Sequence, residues 1–347
     1  EGGRRPGGLD FSWDRRGPAA RGTAPAAASD PGRISPAPDL PPAPSLLAAF
    51  ELPWDGSGSG DSPMVFAAVS SPGANWSGAA LFVDRGGGEL HPLGPSGRTR
   101  SVLGSTVDAL PPASPLLIDR ESAVTVSLAS PDFALINATL SQLAGGANTA
   151  LIGNEIIQFA HAEPTGSGQW RLSGLLRGRG GTEAAVTGHQ AGEPFVLLDG
   201  RPLPLNTTLV GTGASASIVA AGRGDAEPVA APIALRGITQ RPLTPVHPRC
   251  VFRSDGALEL RWTRRSRGAW RWNDGVDEPL REETEAYRVS YGPIATPVAI
   301  WETSEAALIL PEATLASLVA TLPSGGIRVS QRGSHAVSPP LFLCALD

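Results

Sequence analysis

Short runs of alternating apolar and polar residues, separated by turns rich in glycine and proline, recur along most of the chain. The densest of these runs spans residues 148–198, where apolar residues 150–152, the pair Gly153-Asn154 and an alternating segment 155–163 follow one another. Glycine and asparagine both tolerate positive φ, so this pair suits a two-residue hairpin turn. The pattern predicts an antiparallel β-meander at the centre of the chain.

The same meander is predicted to continue after residue 163. Residues 164–168 combine proline, glycine and serine, which is typical of a turn. The apolar residues within 170–176 mark a third strand, a Gly/Arg loop at 177–181 interrupts the pattern, and residues 194–198 resume it.

Further short strands are predicted on both sides of the meander. Turn residues separate these runs as they do in sandwiches and barrels, and the runs occupy residues 46–53, 64–69, 79–83 and 123–128. Residues 134–143 fit either a strand or a short helix. Residues 199–245 are expected to form irregular strands that finish the central sheet, with a linker around 242–248.

The last hundred residues have the clearest period of two. Apolar and polar side chains alternate at 258–262, 287–291 and 327–329, and a helical pattern occurs only at 312–318. Such alternation predicts a β-sandwich. A tryptophan on an early strand and a tyrosine pair on a later one make it similar in architecture to fibronectin type III domains.

The fold class that follows is all-β, with several small β-sandwich or barrel-like modules, the last of them fibronectin-III-like. Residues 1–45 are predicted to be an extended Pro/Gly/Ala-rich linker or arm, because they contain too few large apolar groups to offset the entropy of ordering. The β modules are an N-terminal one at 46–120, a central meander at 121–245 and the C-terminal sandwich at 246–347.

Composition narrows the classes of partner. The 28 basic residues are all arginines, and the formal net charge of −5 argues against a dedicated nucleic-acid binder. No apolar run approaches the length of a membrane span, and no signal peptide is visible. The two cysteines, Cys250 and Cys344, form no disulfide framework or zinc site and are expected to be buried free thiols on neighbouring strands.

One resemblance is carried by the central strings GNEIIQFAHAE (153–163), WRLSGLLRGRGGTE (170–183), His189 and GEPFVLL (192–198). They resemble the C-terminal half of the host-specificity, or baseplate-hub, protein of alphaproteobacterial gene transfer agents and related siphophages. The similarity covers most of the chain from about residue 46 and is best at 150–198. These strings are no catalytic motif, so the resemblance implies a family and a particle location rather than a chemistry.

The resemblance implies a structural component of a phage-like tail tip, assembled in the bacterial cytoplasm and acting in assembly and host recognition. It implies a homotrimer that contacts distal-tail, hub and fibre proteins and borders a host glycan or receptor. It also implies that a glycosidase-like barrel lies upstream in full-length relatives, and that this chain is a segment of a longer protein.

The Gly/Arg loop 177–181 has three interpretations. An anion cradle would need a lysine and a following helix, which this loop lacks, so a tight connection with positive φ is favoured. Arg177 and Arg179 are also candidate contacts to a neighbouring subunit.

An arginine/tryptophan strip at 261–272 is the second candidate site. Its aromatic rings and guanidinium groups are able to stack on a glycan or on nucleic-acid bases, with Trp270 and Trp272 as the contacts of interest. Six acidic residues follow within 274–285, so structural pairing of these acids with the arginines is favoured. The alternative function is therefore a carbohydrate-binding module or a glycan-cleaving enzyme acting through this strip.

No catalytic constellation or cofactor is predicted for this segment. The five histidines lack metal-ligand spacing, and His161 and His189 are expected to be hydrogen-bonded fold residues. No activated-nucleophile motif appears, and the acidic residues have a surface-like pattern. The chain is therefore not expected to be an enzyme, and no cofactor or metal is expected.

Overall fold

A computed structural model describes residues 41–211, 216–268 and 279–346, and these residues are mostly β-structure. The all-β fold class with several small modules is confirmed. The predicted arm at 1–45 lies almost wholly outside the described residues.

Twenty strands are described. In chain order they are β1 (Leu46–Leu52), β2 (Met64–Ser70), β3 (Ala79–Asp84), β4 (Leu90–Pro95), β5 (Leu103–Thr106), β6 (Ile118–Leu128), β7 (Thr149–Ile152), β8 (Glu155–Gly166), β9 (Gln169–Leu176), β10 (Pro194–Leu197), β11 (Leu203–Pro204), β12 (Ser217–Gly222), β13 (Val229–Pro232), β14 (Val246–Phe252), β15 (Leu258–Thr263), β16 (Tyr287–Tyr291), β17 (Ala299–Thr303), β18 (Ala307–Leu310), β19 (Gly326–Gln331) and β20 (Leu341–Ala345).

The helices of the described part are short. They are α1 (Leu140–Ala144), α2 (Thr207–Val210) and α3 (Glu312–Thr321), with two 3₁₀ turns at Arg179–Gly181 and Glu183–Ala185. The segment 134–143 thus resolves into irregular backbone followed by α1, whose N-cap Thr139 and third residue Gln142 form a capping box. No described helix has the length and apolar character of a membrane-spanning one.

The predicted meander is one part of a closed six-stranded barrel with strand order β10-β5-β6-β9-β8-β7. The tight hairpin between β7 and β8 is confirmed, with Ile152 paired to Glu155 and Gly153 at φ 55°. Closure comes from β10, because Phe195 pairs with Gly104 of β5 on one side and Ile152 of β7 on the other. Closing the barrel leaves none of its six strands with a free edge.

The barrel interior is filled by the inward-facing half of each alternating strand. Fully buried apolar side chains from β6 to β10 meet there, among them Val124, Ile157, Phe159, Leu172 and Phe195. Burying side chains of this size stabilises the fold by roughly 1.5–3 kcal/mol each. The period of two seen in the sequence therefore gives the barrel its core.

Two further sheets each combine strands that precede the barrel in sequence with strands that follow it. One has the order β1-β2-β11 and the other β13-β12-β3-β4, and a single apolar core contains residues from both. The expectation that residues 199–245 finish the central sheet is wrong, because β11 pairs with β2 and β12 pairs with β3. These pairings cross the predicted module boundary at 120/121, so the barrel is inserted between strands that share sheets.

The C-terminal strands form two sheets that pack on each other, in agreement with the predicted β-sandwich. The sheets have the orders β14-β15-β18 and β17-β16-β19-β20. Leu260 and Trp262 of the first sheet share a core with Tyr287 and Val289 of the second, and Trp262 meets Tyr287 edge to face at 5.2 Å between ring centroids. The first strand of this sandwich begins at Val246, where the C-terminal module is predicted to start.

Candidate functional site

A buried ion pair lies at the end of the barrel where β8 begins and β9 ends. Arg177 follows β9, and its Nε and Nη2 donate to the carboxylate of Glu155 at 2.9 and 2.8 Å. The backbone N–H of Gly178 donates to the same carboxylate at 2.6 Å. Both charged side chains are 0 % exposed. The pair is bidentate, the geometry in which guanidinium and carboxylate bind most strongly.

The rest of the Arg177 guanidinium is also fully hydrogen-bonded. Nη1 donates to the carbonyl of Pro111 at 2.8 Å and approaches Asp119 Oδ2 at 3.5 Å, while Nη2 donates to the carbonyl of Val186 at 3.3 Å. Arg177 therefore ties the barrel end to three separate chain segments. Its side chain has no donor free for another molecule.

His189 joins Glu155 to a second carboxylate. Its Nε2 lies 2.7 Å from Glu155 Oε2, and its Nδ1 lies 2.5 Å from Glu193 Oε2. Ionised carboxylates only accept hydrogen bonds, so both ring nitrogens have to donate, which requires the imidazolium form. The hydrogen bond to Glu155 raises the pKa of His189 against the opposing effect of burial, and Glu193 raises it further.

Two acidic members of the cluster, Glu155 and Asp119, are held in their ionised form. Burial acts to raise the pKa of Glu155, but the hydrogen bonds from His189 and Arg177 outweigh it and lower that pKa. Burial likewise opposes ionisation of Asp119, whose pKa is nevertheless lowered by the N–H donors of Ser122 and Glu121 and by the charge of Arg177. The arrangement is a charge network of Asp119, Glu155, Arg177, His189 and Glu193.

The loop that carries Arg177 takes its shape from glycine. Gly178, Gly180 and Gly181 have φ values of 58°, 65° and 88°, which confirms the prediction of a tight connection with positive φ. Thr182 Oγ1 donates to the carbonyl of Arg179 at 2.8 Å and accepts the N–H of Ile156 at 3.0 Å. Local backbone geometry and one hydroxyl thus fix the loop over the start of β8.

A cavity of about 510 Å³ opens beside the charge network. The barrel rim supplies Asn154, Thr187, His189 and Glu193 to its lining, and the segment after β13 supplies Arg236 and Arg241. Phe50 of β1 with Ile156 and Ile238 adds apolar surface. The volume is within the range of small-molecule sites, about 300–1,000 Å³.

The structure separates the two arginines predicted as subunit contacts. Arg177 is 1 % exposed and is used entirely within the chain, whereas Arg179 is exposed at the tip of the loop. Arg179 alone keeps the accessibility that a subunit contact needs. Trp270 and Trp272, the other two predicted contacts, lie outside the described residues.

The described arginines of the strip 261–272 make ion pairs within the chain. Arg267 binds the buried carboxylate of Glu282 at 2.7 Å, which bears out the expected pairing of this strip with the acids that follow it. Arg265 reaches across to the barrel loop and binds Glu183 at 2.6 Å. Because Arg267 Nη1 also donates to the carbonyl of Gly60 at 2.7 Å, this segment connects the sandwich to the N-terminal part.

The expectations for the histidines and the acidic residues are confirmed only in part. His189 is a hydrogen-bonded fold residue as predicted, while His161 is exposed on the outside of the barrel. The description of the acids as surface-like is wrong for Glu155, which is 0 % exposed. Its partners lie 22 and 34 residues away in sequence, so no local spacing points to the cluster.

The cysteines are free thiols on the first and last strands of the sandwich, as predicted. Both are half-buried against the C-terminal core rather than fully buried. Burial raises the pKa of Cys344 to about 12, with the neighbouring Cys250 thiol as a further cause. Among the residues that the structure describes, no group of three or more His, Cys, Asp or Glu side chains is arranged to hold a metal ion.

The barrel is also the part of the chain that is similar to a known family. Residues 101–196 match the family model described as Rcc01698-like, C-terminal, a family associated with gene transfer agent proteins. The match begins two residues before β5 and ends one residue before the end of β10, so it coincides with the barrel and contains the charge network. No curated protein is similar enough to match the chain.

Proposed function

We propose that this chain is a structural component of a phage-like tail tip, the baseplate-hub or host-specificity protein of a gene-transfer-agent-type particle. It acts in particle assembly and host-cell recognition, and this segment makes or breaks no covalent bond. The observation that supports the proposal is the coincidence of the family match at 101–196 with one complete structural unit, the closed barrel.

The construction of the chain suits such a role. A closed barrel, a β-sandwich and two smaller sheets consist mostly of short strands that pair through backbone hydrogen bonds and enclose apolar cores, as rigid packed modules do. The Arg177–Glu155–His189 network is fully satisfied and offers rigidity at the barrel end rather than a reacting group. In the proposed particle the chain forms a homotrimer and contacts distal-tail, hub and fibre proteins.

The test is to locate the chain in purified particles. A small epitope tag is inserted in the exposed glycine turn 86–88, and labelled particles are imaged by electron microscopy. Label at the tail tip with threefold symmetry is the expected result. Label on the capsid, or its absence from intact particles that otherwise assemble, would contradict the proposal. An untagged particle preparation is the control.

The alternative function, glycan binding or cleavage through the strip 261–272, has weaker support. Arg265 and Arg267 already bind Glu183 and Glu282, so their charges are largely neutralised within the chain. Titrating the full chain with host polysaccharide separates the two functions. Binding that disappears on Trp270→Ala and Trp272→Ala would favour the alternative, and unchanged binding would exclude the strip.

A further inference from the structure

The cavity beside the charge network has hydrogen-bonding groups that the protein itself does not use. Arg236 and Arg241 line it from the segment after β13, and neither guanidinium has a hydrogen bond or ion pair to the described residues. The side chains of Asn154 and Thr187, also in the lining, are equally unpartnered within the described part of the chain. Such groups are satisfied by water or by a ligand.

Most carboxylate oxygens of the lining, by contrast, already accept hydrogen bonds from the chain itself. Glu51 accepts hydrogen bonds from the N–H of Arg236 at 2.7 Å and from the N–H and hydroxyl of Thr239 at 3.0 Å each. Glu193 Oε2 is held by His189, which leaves Oε1 as an open acceptor. With His189 protonated, three positive and two negative side chains line the cavity, so its net charge favours an anion.

These open groups define the complementary ligand. The two unpartnered guanidinium groups, both from the segment after β13, suit an oxyanion, which arginine binds bidentately. The open oxygen of Glu193 requires a donor on the other side. An ammonium donor gains little there, because the adjacent His189 already carries the balancing positive charge. Hydroxyl groups supply the donors without that repulsion, and the Asn154 and Thr187 side chains add matching partners.

We infer that this cavity binds an acidic sugar, with its carboxylate on Arg236 and Arg241 and its hydroxyls toward Glu193, Asn154 and Thr187. The apolar surface of Phe50 and Ile156 accommodates the C–H face of the ring. The site is separate from the strip 261–272, and it is independent of where the chain sits in a particle. If the cavity does not bind the sugar, the proposed place of the chain in the particle is unaffected, and the reverse also holds.

The test is calorimetric titration of the full chain with a galacturonate trisaccharide. The neutral galactose trisaccharide of the same linkage, inorganic phosphate and triglutamate serve as comparison ligands. The galacturonate ligand is expected to bind at least tenfold more tightly than each of the three. Equal or tighter binding of the neutral sugar, of phosphate or of triglutamate would overturn the assignment.

Two variants assign the binding to the cavity. Arg236→Gln and Arg241→Gln are each expected to weaken galacturonate binding about tenfold or more, because each removes a charge-assisted hydrogen bond to the carboxylate. The control is Arg253→Gln, because Arg253 is exposed in the turn before β15 and does not line the cavity. Unfolding curves that match the parent chain establish that the variants fold. Unchanged affinity in both variants would remove the site.

Discussion

Arg177 and Arg179 lie two positions apart in one loop, yet they have opposite environments. The guanidinium of Arg177 is 0 % exposed and fully hydrogen-bonded, while the Arg179 side chain faces solvent. The difference follows from the left-handed Gly178 between them, which turns the chain after β9. Arg177 therefore stabilises the fold while Arg179 remains accessible, so a substitution at Arg179 is a matched control for one at Arg177.

Replacing Arg177 by alanine is expected to destabilise the fold strongly. The change removes the bidentate guanidinium and leaves the buried Glu155 with His189 as its remaining charged partner, and breaking a buried ion pair from one side costs about 3–5 kcal/mol. Arg179→Ala is expected to change the free energy of unfolding by less than about 0.5 kcal/mol. Urea unfolding of both variants measures this, and equal stabilities would contradict the assigned role of Arg177.

The His189 contacts predict a specific pH dependence of stability. The pKa of His189 is raised in the folded state, so its contribution is complete below the unfolded pKa of about 6.5 and is lost as pH rises through the folded pKa. The pKa values of Glu155 and Asp119 are lowered, so their contributions are present above about pH 4.3 and are lost as pH falls through the folded values.

This dependence is checked with His189→Gln, which keeps hydrogen-bonding capacity but cannot carry the charge. The stability difference between parent and variant is expected to be largest near pH 6 and to shrink toward pH 9. Thermal or urea unfolding across that range measures it. His161→Gln, a change at an exposed ring, is the control. A difference that stays constant with pH would show that His189 is not charged in the folded chain.

At the scale of elements, many of the strands that coincide with an apolar or alternating run are predicted from the sequence. The strands β1, β2, β3, β8, β9, β15 and β16 follow their predicted runs closely. The strand β5 has the sequence Leu-Gly-Ser-Thr, with one large apolar residue, so no periodicity marks it. Its Gly104 instead permits a close approach, since a Cβ there would lie 2.3 Å from the Ser127 carbonyl oxygen.

The pairing of elements is less predictable than their existence. The hairpins β7–β8 and β8–β9 are local, and their turn residues reveal them. Closure of the barrel by β5 and β10, and the return of β12 to β3, join segments that are far apart in sequence. In the charge network, Glu155 and Arg177 lie at the open end of the local β8–β9 hairpin, whereas Asp119 and His189 come from segments 58 residues from Arg177 and 34 residues from Glu155. Arg177 could be singled out from its loop, but no spacing in the sequence shows which side chains meet at the end of a hairpin.

The glycine loop offers a test of close packing at this scale. Gly181 has φ 88°, and a Cβ on it would lie 2.4 Å from Leu243 Cδ2. Gly188 has φ 89° but open space around the same position. Gly188→Ala is expected to cost about 1–2 kcal/mol for the backbone conformation alone.

Gly181→Ala is expected to cost a further 1–3 kcal/mol or so, because the added methyl group displaces Leu243. Chemical unfolding of the two variants gives the difference directly. Equal losses in both would show that the loop and residue 243 do not pack as described.

At the scale of the whole molecule, Arg267 connects the C-terminal sandwich to the N-terminal part. It binds Glu282 within its own module, donates to the carbonyls of Gly60 and Thr239, and lies 5.2 Å from the ring of Trp54. Its side chain and that of Glu282 are 5 % and 1 % exposed. One buried guanidinium thus satisfies groups from three parts of the chain.

Arg267→Ala is expected to lower stability by about 3–5 kcal/mol, because Glu282 remains buried without its cation. It is also expected to speed proteolytic cleavage in the loop 55–61, whose carbonyl at Gly60 loses its donor. The control is Arg332→Ala, which removes an exposed pair with Glu302 and is expected to cost less than about 1 kcal/mol. Cleavage rates that match the control would argue against Arg267 as the connection.

The neighbouring positions of β5 and β10 have a consequence for how such chains diversify. The first and last strands of the barrel are hydrogen-bonded to each other, so the polypeptide enters and leaves this unit at adjoining points. A surrounding framework of β1 to β4 and β11 to β13 therefore needs only a pair of nearby attachment ends. Another domain whose termini lie side by side could occupy the same insertion point. Recombination between genes could therefore exchange the barrel while the surrounding sheets keep their pairing.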